Sequence, residues 1–571
     1  MGHAEHAEVI VVGTGIGGLA AAKTYLELSP ETSLLLVERR PTLGGVWAEE
    51  NCYEGLKTNN LGGTYEFSDF PMGEKYGVQE DGHIPGYTLH RYLNDFADHF
   101  DLRRRMHFNT CILQAEKLDS GWRLYAESTT EAKNPGPLQY TCDKLIVSSG
   151  LSSTPNPVNI EGKEDFDRPI IDHTQLRSEG ARIAQDPAVK SVTVAGASKT
   201  GYDVVHLMAS NGKKVDWIIR ESGGGGVWMA SPWVPFAGAI TKLELLATMR
   251  YFTWFSPCAW GGFDGFSWIR KLLHQTRIGR WFVHRFWENI RMDIIDANGY
   301  RKEECLKHLE PHESLFWSAR VGILNYPSDI HDYLRSGQVK ITRKDIDHLS
   351  APGVVTLSDG TSIQTDALVA ITGWKLGSTV EYKPDGLDAQ LGIPSSHSNA
   401  KENAFWEQLD STADKEILGR FPYLRNPPSR IPYKQNVTPF RLYRGIAPPS
   451  LTTQGDYSLA YMKMVHSTSN VIIAETQALW VYAYLNGKLR IDAGDVHRQT
   501  ALMSRYGKHR YPCGFSEWYP EFVYDAIPYV DMLLSDLGVR SWRKPTWRRE
   551  MFEGYTIHDY RGINREWASR G

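Results

Sequence analysis

The fold of this 571-residue chain is decided by one short stretch near its start, VIVVGTGIGG at residues 9–18. Four apolar residues indicate a strand, and Gly13, Gly15 and Gly18 follow with the spacing G-x-G-x-x-G. An alanine-rich helix is predicted over 16–28 and a second apolar strand over 34–38. Glycines at this spacing allow a tight turn, close approach of the backbone to a pyrophosphate, and close packing of the helix. The stretch therefore predicts a strand–helix–strand unit that binds a dinucleotide at the helix N-terminus.

The end of the second strand indicates which dinucleotide binds. Glu38 stands about 20 residues beyond the turn, where an acidic side chain can bond ribose hydroxyls. A carboxylate there repels a 2′-phosphate, so the site is predicted to hold FAD or NAD instead of NADP. Its N-terminal position favours FAD, and we include Ile16 and Arg39 among the predicted contacts.

A second unit of the same kind is predicted in the middle of the chain. Residues 191–195 and 215–220 have the pattern of strands, and residues 199–210 that of a helix. The turn between them keeps Gly196 and Gly201 at its first and last positions, with Ser198 in place of the middle glycine. We therefore expect a second dinucleotide site at this turn.

The charges around the second turn favour NADPH. Arg220 closes the second strand where the first unit has an acid, and Lys199 and Thr200 begin the helix. Cationic and hydroxyl groups suit the 2′-phosphate of NADPH. The alternative is a surface arginine together with Ser198 acting only as a helix cap.

The order of these elements predicts an α/β protein with two Rossmann-like dinucleotide-binding domains. A Pro-rich crossover at 154–158 and an apolar return strand at 367–373 indicate that the NADPH domain is inserted in the FAD domain. A hairpin is expected around residues 358–360. The predicted boundaries are 1–155 (FAD domain, first part), 156–230 (NADPH domain, first part), 231–310 (aromatic-rich, largely helical insertion), 311–365 (NADPH domain, second part) and 366–571 (FAD domain, second part, with a C-terminal extension).

The insertion combines tryptophans with basic residues. The tryptophans are Trp233, Trp254, Trp260, Trp268, Trp281 and Trp287, and the basic residues are Arg270, Lys271, Arg277, Arg280 and Arg285. Three interpretations remain open: a buried core, an apolar substrate vestibule bordered by Trp254 and Trp268, and a helix lying on a membrane surface.

Composition excludes several other classes of protein. A net charge of -4, without a basic stripe, argues against nucleic-acid binding. The six cysteines include no CxxC pair, so neither a zinc site nor a redox dithiol is predicted, and we expect no metal. No uncharged apolar run approaches the roughly 20 residues that span a bilayer, and no secretory signal is evident. We expect a cytoplasmic protein, with peripheral membrane contact left open.

Several further segments carry a family resemblance. Gly44-Gly45-Val46-Trp47, Leu56-Lys57-Thr58-Asn59 and residues 67–71, followed by residues 89–93, 217–220, 223–229, 371–374 and 474–480, span nearly the whole chain. In this combination the chain resembles the flavin-containing, or class B flavoprotein, monooxygenases and their fungal biosynthetic relatives. The resemblance implies that Gly45, Val46 and Trp47 line the flavin and that Thr58 and Asn59 lie beside its isoalloxazine, with Asn59 as the catalytic residue.

The chain departs from one family signature, F-x-G-x-x-x-H-x-x-x-F. The signature would begin at Phe166, but Arg168 replaces its glycine and His173 falls one place late. Leu176 and Arg177 do not provide the Trp-Pro or Trp-Asp ending of the Baeyer–Villiger relatives. Heteroatom oxygenation or hydroxylation is therefore favoured over Baeyer–Villiger insertion. For His173, the alternative interpretation is a loop histidine whose hydrogen bonds are satisfied within the protein.

The expected activity follows from the resemblance and the two turns together. NADPH would reduce FAD, dioxygen would add to the reduced flavin, and a flavin hydroperoxide would pass one oxygen atom to a small apolar organic substrate. The alternatives are a Baeyer–Villiger enzyme, a flavin dehydrogenase or reductase that transfers no oxygen, and a catalytically silent dinucleotide sensor.

Overall fold

The computed structural model describes residues 4–79, 81–130, 138–236, 238–396, 400–429 and 436–570. Its strands are β1 (Glu5–Val12), β2 (Leu34–Val37), β3 (Lys57–Leu61), β4 (His83–Pro85), β5 (Met106–His107), β6 (Thr110–Lys117), β7 (Trp122–Ser128), β8 (Leu138–Val147), β9 (Ile170–Asp172), β10 (Ser191–Ala195), β11 (Lys214–Ile218), β12 (Trp228–Ala230), β13 (Trp233–Phe236), β14 (Ala239–Lys242), β15 (Val321–Ile323), β16 (Val339–Thr342), β17 (Ile346–Ser350), β18 (Val354–Leu357), β19 (Ser362–Gln364), β20 (Ala367–Ala370), β21 (Glu381–Lys383) and β22 (Leu459–Tyr461).

The α-helices in the same ranges are α1 (Ile16–Leu28), α2 (Gly86–His99), α3 (Ala181–Gln185), α4 (Lys199–Ser210), α5 (Leu243–Thr248), α6 (Arg250–Thr253), α7 (Ser267–Gln275), α8 (Arg277–Asn298), α9 (Ile330–Arg335), α10 (Leu387–Leu391), α11 (Ala400–Arg420), α12 (Pro449–Thr453), α13 (Asn470–Leu485), α14 (Val496–Arg510), α15 (Ala526–Asp536), α16 (Trp547–Phe552) and α17 (Ile563–Ala568).

The first sheet has β1 near its middle, between β2 and β8. Both neighbours run parallel to β1, with Val12 paired to Val37 on one side and to Val147 on the other. Val9 and Val11 of β1 face one apolar core, while Ile10 and Val12 face a second. Because both faces of β1 are buried, residues 9–12 are all apolar instead of alternating between apolar and polar.

The second sheet has the order β16-β11-β10-β20-β9, with all neighbours parallel. Its strands lie between β8 and β21 in the chain, and both of those belong to the first sheet. The chain therefore leaves the first sheet, builds the second and returns, which confirms the predicted α/β fold with one dinucleotide-binding domain inserted in the other.

The return of the chain occurs later than expected. β20 pairs with β10 through Val192 and Ala367, so this strand lies inside the second sheet. The expected boundary at residue 366 places β20 in the FAD domain, and the observed pairing corrects it by one strand. The hairpin expected just before it is present, because β18 and β19 are antiparallel on either side of residues 358–360.

The insertion is mostly helical and packs firmly on the C-terminal part of the chain. Arg250 of α6 is buried and forms ion pairs with Asp531 at 2.6 Å and Glu550 at 2.8 Å. Within the insertion, Trp260 and Trp287 are buried in apolar cores, as the core interpretation requires. The remaining tryptophans are not fully buried: Trp233 and Trp254 are half-buried, and Trp268 and Trp281 are exposed.

Candidate functional site

A cavity of about 530 Å³ opens at the carboxyl ends of β1, β2 and β8. Carboxyl ends of parallel strands are where α/β sheets bind ligands. The predicted residues in its lining are Gly13, Gly15, Ile16, Glu38, Arg39, Gly45, Val46 and Trp47. Two segments of sequence, about 30 residues apart at their centres, therefore meet around one cavity, as the fingerprint and the GG-x-W segment together predict.

Glycine is required by geometry in the first turn. Gly13 has φ +102°, and a Cβ placed on it would lie 2.6 Å from the carbonyl oxygen of Ser148. A Cβ on Gly18 would lie 1.9 Å from the carbonyl oxygen of Gly13. Gly18 does not line the cavity but allows α1 to begin close behind the turn. The bare backbone leaves a cradle that side chains at these positions would fill, and a pyrophosphate fits such a cradle.

Glu38 is held in place by the turn that it faces. Its Oε2 accepts hydrogen bonds from the backbone amide of Thr14 at 2.9 Å and from the Thr14 hydroxyl at 2.8 Å. Its Oε1 accepts one from the backbone amide of Arg40 at 3.0 Å. A carboxylate has about four acceptor positions, so Glu38 retains capacity for a ribose hydroxyl.

The lining of the cavity also contains a lysine that the sequence interpretation missed. The Lys463 ammonium donates a hydrogen bond to the side-chain oxygen of Asn470 at 2.8 Å, and both residues line the cavity. Burial lowers the pKa of Lys463 to about 7. Nearby, the Trp47 indole donates to the Tyr65 hydroxyl at 3.3 Å. Lys463 follows β22, which pairs in parallel with β8, but a three-residue strand is too short to recognise from sequence.

Other missed residues come from strands, helix starts and loops that the first sheet brings together. They are Val12, Gly17, Val37, Arg40, Gly44, Asn51, Tyr65, Thr110, Cys111, Ile112, the run 148–154, Ser378, Thr379, Val465, His466 and Asn470. The run 148–154 follows β8, which pairs in parallel with β1 and ends beside it. Val12, Gly17, Val37, Arg40 and Gly44 directly adjoin predicted positions. Thr110, Cys111 and Ile112 belong to β6, which is antiparallel to β7, and Ser378, Thr379, Val465, His466 and Asn470 belong to the second half of the chain, where nothing local marks them.

Thr58 and Asn59 lie outside the residues that line this cavity. They belong to β3, where the carbonyl oxygen of Thr58 accepts a hydrogen bond from the Asn325 amide at 3.1 Å. Asn59 is exposed, and its side chain makes no hydrogen bond with a described residue. Its neighbour Asn60 donates to the carboxylate of Glu244 at 2.5 Å. Of the two adjacent amides, Asn59 is the one left available, and its role stays a prediction.

The second turn repeats the geometry of the first. Gly196 has φ +118°, and a Cβ on Gly201 would lie 2.4 Å from the carbonyl oxygen of Gly196. Ser198 precedes α4 in the N-cap position, yet its side chain accepts no capping hydrogen bond. The serine is exposed at the helix start. A helix cap requires the serine hydroxyl to accept a hydrogen bond from the helix backbone, and Ser198 accepts none. The alternative interpretation of Ser198 as only a helix cap is therefore not supported.

The two cations of the second unit have different surroundings. Arg220 is exposed just beyond β11, and it forms no ion pair with a described residue. Lys199 instead pairs with Asp203 and donates to Asn325 at 2.9 Å and to the Tyr326 hydroxyl at 3.1 Å. Arg220 is therefore available to a phosphate, whereas the ammonium of Lys199 is engaged within the protein.

Asp203 joins the two dinucleotide-binding domains. It accepts hydrogen bonds from the Tyr53 hydroxyl at 2.7 Å and from the Tyr326 hydroxyl at 2.8 Å, besides its ion pair with Lys199. Tyr53 precedes β3 in the first domain. This network holds the start of α4 against the segment that leads to Thr58.

His173 is not a hydrogen-bonded loop histidine. Both of its ring nitrogens are buried and make no hydrogen bond with a described residue. The ring packs edge-on against Trp374, with 4.5 Å between ring centroids, and burial lowers its pKa. A neutral imidazole packed on an indole is the state that this environment favours.

The fold and the cavity define an α/β dinucleotide-binding oxidoreductase with two nucleotide sites. The family described as Pyridine nucleotide-disulphide oxidoreductase matches residues 7–223, a stretch that contains both glycine turns and Arg220. A FAD-dependent monooxygenase of Pyrenophora dematioidea is 34% identical over 94% of this chain and 98% of its own length. FAD-dependent monooxygenase resA of Aspergillus sclerotiorum is 33% identical over 98% of each chain. The chain belongs to the family of FAD-dependent monooxygenases, which confirms the family that the sequence resembles and the assignment of FAD.

Solved structures show the same fold at low sequence identity. Polycyclic Ketone Monooxygenase from Thermothelomyces thermophila superposes with a TM-score of 0.59 at 14% identity, covering 94% of this chain and 88% of that one. A cyclohexanone monooxygenase mutant from Rhodococcus sp. Phi1, bound to NADP+, has a TM-score of 0.58 at 15% identity, covering 94% and 98%. This likeness extends over both dinucleotide-binding domains.

Proposed function

We propose that this FAD-dependent monooxygenase uses NADPH as its reductant and inserts one atom of dioxygen into an apolar organic substrate. The observation that carries the proposal is that two glycine turns have the same geometry, but an acidic residue stands beside the first turn and a basic residue beside the second. A Cβ would meet the turn's own carbonyl oxygen at Gly18 and again at Gly201. Glu38 stands at the first turn, and an unpaired Arg220 stands at the second.

Each turn has residues suited to its own dinucleotide. In the first cavity, the amides of the turn would bind the pyrophosphate of FAD, and Glu38 would accept a hydrogen bond from its adenosine ribose. At the second turn, Arg220 offers a guanidinium that can bind a 2′-phosphate through two hydrogen bonds. When bound, FAD supplies electron transfer and the reaction with dioxygen, and NADPH supplies the electrons.

The protein's own contribution is to bind, orient and exclude water. Asp203 and Lys199 fix the position of α4 relative to the first domain. Asn59 offers an amide that can both donate and accept a hydrogen bond. A properly oriented donor in a dry site favours oxygen transfer over loss of hydrogen peroxide. We retain the preference for heteroatom oxygenation or hydroxylation, because the tryptophan-ended signature is absent.

The experiment is a turnover assay under heavy-isotope dioxygen. Purified protein with FAD and NADPH is incubated with a panel of apolar ketones, amines, sulfides and phenols, and products are analysed by mass spectrometry. One labelled oxygen atom in a product is expected. Label derived only from water, or turnover without oxygen when an artificial electron acceptor is supplied, would establish a dehydrogenase instead. Lactone or ester products from the ketones alone would favour the Baeyer–Villiger alternative.

Asn59 has its own test in the same assay. Asn59→Ala should reduce FAD with NADPH at the wild-type rate but release more hydrogen peroxide per NADPH consumed. The matched control is Asn60→Ala, since Asn60 is committed to Glu244 and should change stability without changing the peroxide yield. Equal peroxide yields in wild type and Asn59→Ala would exclude the proposed role of Asn59.

A further inference from the structure

Two adjacent helices of the insertion expose large apolar side chains to solvent. On α7, Trp268 is 64% exposed and Leu272 54%. On α8, Ile278 is 72% exposed, Trp281 57% and Phe282 52%. We call these five residues the outer apolar face. Single exposed apolar residues are ordinary in globular proteins, but a contiguous group of this size marks an interaction surface.

The spacing shows that each helix presents one continuous stripe. Trp268 and Leu272 are four positions apart, and Ile278 is three and four positions before Trp281 and Phe282. Residues at these spacings share a helix face. The inner face of α8 is buried separately, through Val283 and Trp287. Packing within the protein therefore explains why the inner face of α8 is apolar. The outer apolar face packs against no other element among the described residues.

The two stripes adjoin where α7 meets α8. A Cβ on Gly279 would lie 2.0 Å from the carbonyl oxygen of Leu272, so only glycine permits the observed contact between the helices. Thr276 alone connects them, and its hydroxyl caps α8 by accepting from the Gly279 amide at 2.9 Å. Leu272 and Ile278 thus lie on either side of one tight junction.

The segment that forms the outer apolar face carries charge of one sign. Residues 265–287 contain no aspartate or glutamate, although the whole chain has a net charge of -4. Lys271, Arg277 and Arg285 are exposed and Arg280 is half-buried. None of these four forms an ion pair with any residue in the described ranges. A basic, apolar surface on an acidic protein is complementary to an anionic, apolar partner.

We propose that the outer apolar face of α7 and α8 docks on an anionic lipid membrane, with both helices lying in the plane of the interface. Tryptophan and phenylalanine on one face, rimmed by lysine and arginine, is the composition of helices that bind at the headgroup level. Long basic side chains place their stems along the apolar boundary and their charges among lipid phosphates.

The membrane contact is peripheral. No helix in the part of the chain that the structure describes is long and apolar enough to cross a bilayer. The inner face of α8 stays packed in the protein, where Trp287 donates to the carbonyl oxygen of Phe255 at 2.9 Å. Docking therefore needs no rearrangement of the fold, and it does not depend on which substrate the enzyme oxidises.

The experiment is sedimentation of the full-length, FAD-loaded protein with vesicles. Vesicles of phosphatidylcholine mixed with phosphatidylserine are compared with pure phosphatidylcholine vesicles. Wild type should bind the mixed vesicles more tightly, and added salt should weaken that binding. Ile278→Ser combined with Trp281→Ser should weaken binding on the order of ten-fold or more, because both side chains lose apolar contact. Lys271→Gln, Arg277→Gln and Arg285→Gln should each weaken it about five-fold.

The matched control is Phe405→Ser on α11. Phe405 is 46% exposed, but the nearest acidic residues on its helix are the half-buried Glu402 and the exposed Glu407, so it should not contribute to binding. FAD content and circular dichroism should be unchanged in every variant, because the substituted side chains are exposed. Vesicle binding that is absent, or that resists all the substitutions on α7 and α8, overturns the proposal. A lipid-free dimer that is lost in the Ile278 and Trp281 variant, without vesicle binding, also overturns it and assigns the face to a second copy of the chain.

Discussion

Glu475 accepts two hydrogen bonds from Ser68 through a single carboxyl oxygen, one from the backbone amide at 3.0 Å and one from the hydroxyl at 3.1 Å. The two residues are 407 positions apart, and both belong to segments that carry the family resemblance. The second oxygen of Glu475 is buried without a hydrogen-bond partner among the described residues. Burial, and then the charge of Asp69, raises the pKa of Glu475 to about 8. The neutral acid suits this contact, since one oxygen accepts both bonds while the other carries the proton.

This pKa predicts a loss of stability at high pH. The folded pKa is above the ordinary value of 4.5, so the folded protein holds a proton that the unfolded chain releases. The contribution of this proton to the free energy of unfolding is complete below pH 4.5. It is lost as pH rises from 4.5 through 8, by at most about 1.4 kcal/mol per pH unit. Glu475→Gln should remove this dependence and unfold at a higher urea concentration than wild type at pH 8. Ser68→Ala, which leaves the carboxyl group in place, should keep the wild-type pH dependence; identical slopes in wild type and Glu475→Gln would contradict the assignment.

Glu38→Ala should weaken FAD binding by about 10- to 100-fold, because it removes a charge-assisted acceptor for the ribose. Fluorescence titration of the apoprotein with FAD measures the change. Glu31→Ala is the control, since Glu31 is exposed between α1 and β2. Circular dichroism of the apo variant separates loss of the ligand from loss of the fold, and unaltered FAD affinity in a folded Glu38→Ala protein would remove Glu38 from the site.

Arg220→Ala should raise the Michaelis constant for NADPH by about 10- to 150-fold and that for NADH only slightly, because a charge-assisted bond to phosphate contributes roughly 1.5 to 3 kcal/mol. Steady-state kinetics with both nucleotides measures the split. Lys214→Ala is the matched control, because Lys214 is exposed at the opposite end of β11. Equal effects on NADPH and NADH would show that Arg220 does not contact the 2′-phosphate.

Lys463→Met should lower the midpoint potential of bound FAD. Reduction adds negative charge to the flavin, and the Lys463 ammonium lies in the cavity lining. Each 1.4 kcal/mol of lost attraction corresponds to about 30 mV in a two-electron couple. The difference should be largest below pH 7, where Lys463 is charged, and should shrink at higher pH. Potentiometric titration monitored by flavin absorbance measures it.

The control for Lys463 is Lys144→Met. Lys144 is half-buried on β8 and donates to the Asn486 side chain at 2.7 Å, which parallels the Lys463 contact, but it does not line the cavity. Its replacement should leave the flavin potential unchanged. A potential that is the same in wild type and Lys463→Met at every pH would place the Lys463 charge too far from the flavin to act on it.

Local features of the sequence predicted the elements that hold the first site. The helix expected over 16–28 begins and ends at those residues, because its signal lies wholly within consecutive residues. The strand that was predicted over residues 215–220 is shorter at its end. β11 ends at Ile218, and Arg220 follows in the loop. Element ends depend on hydrogen bonds to neighbouring strands, which a single segment does not reveal.

Contacts between distant segments could not be predicted in the same way. The sequence placed Lys199 with Arg220 as a phosphate contact, whereas Asp203, Asn325 and Tyr326 surround its ammonium in the fold. A cation's partner is decided by which side chains tertiary packing brings within about 4 Å, and Asn325 is 126 residues away.

The sequence by itself determined the α/β class, the two glycine turns, the nesting of one dinucleotide-binding domain in the other, and the membership of the family. The class and the turns depend on short-range periodicity and on steric rules for consecutive residues, such as the clash that excludes a side chain at Gly18. The nesting follows from the order of the elements, and the family from motifs that together span nearly the whole chain. Tertiary structure alone decided that Lys463 joins the lining of the cavity at the first glycine turn, that Arg220 forms no ion pair with a described residue while Lys199 does, and that Trp287 is buried while Trp281 is exposed. The physical reason is that burial and pairing are properties of the surface against which a helix or loop packs, and that surface comes from residues hundreds of positions away.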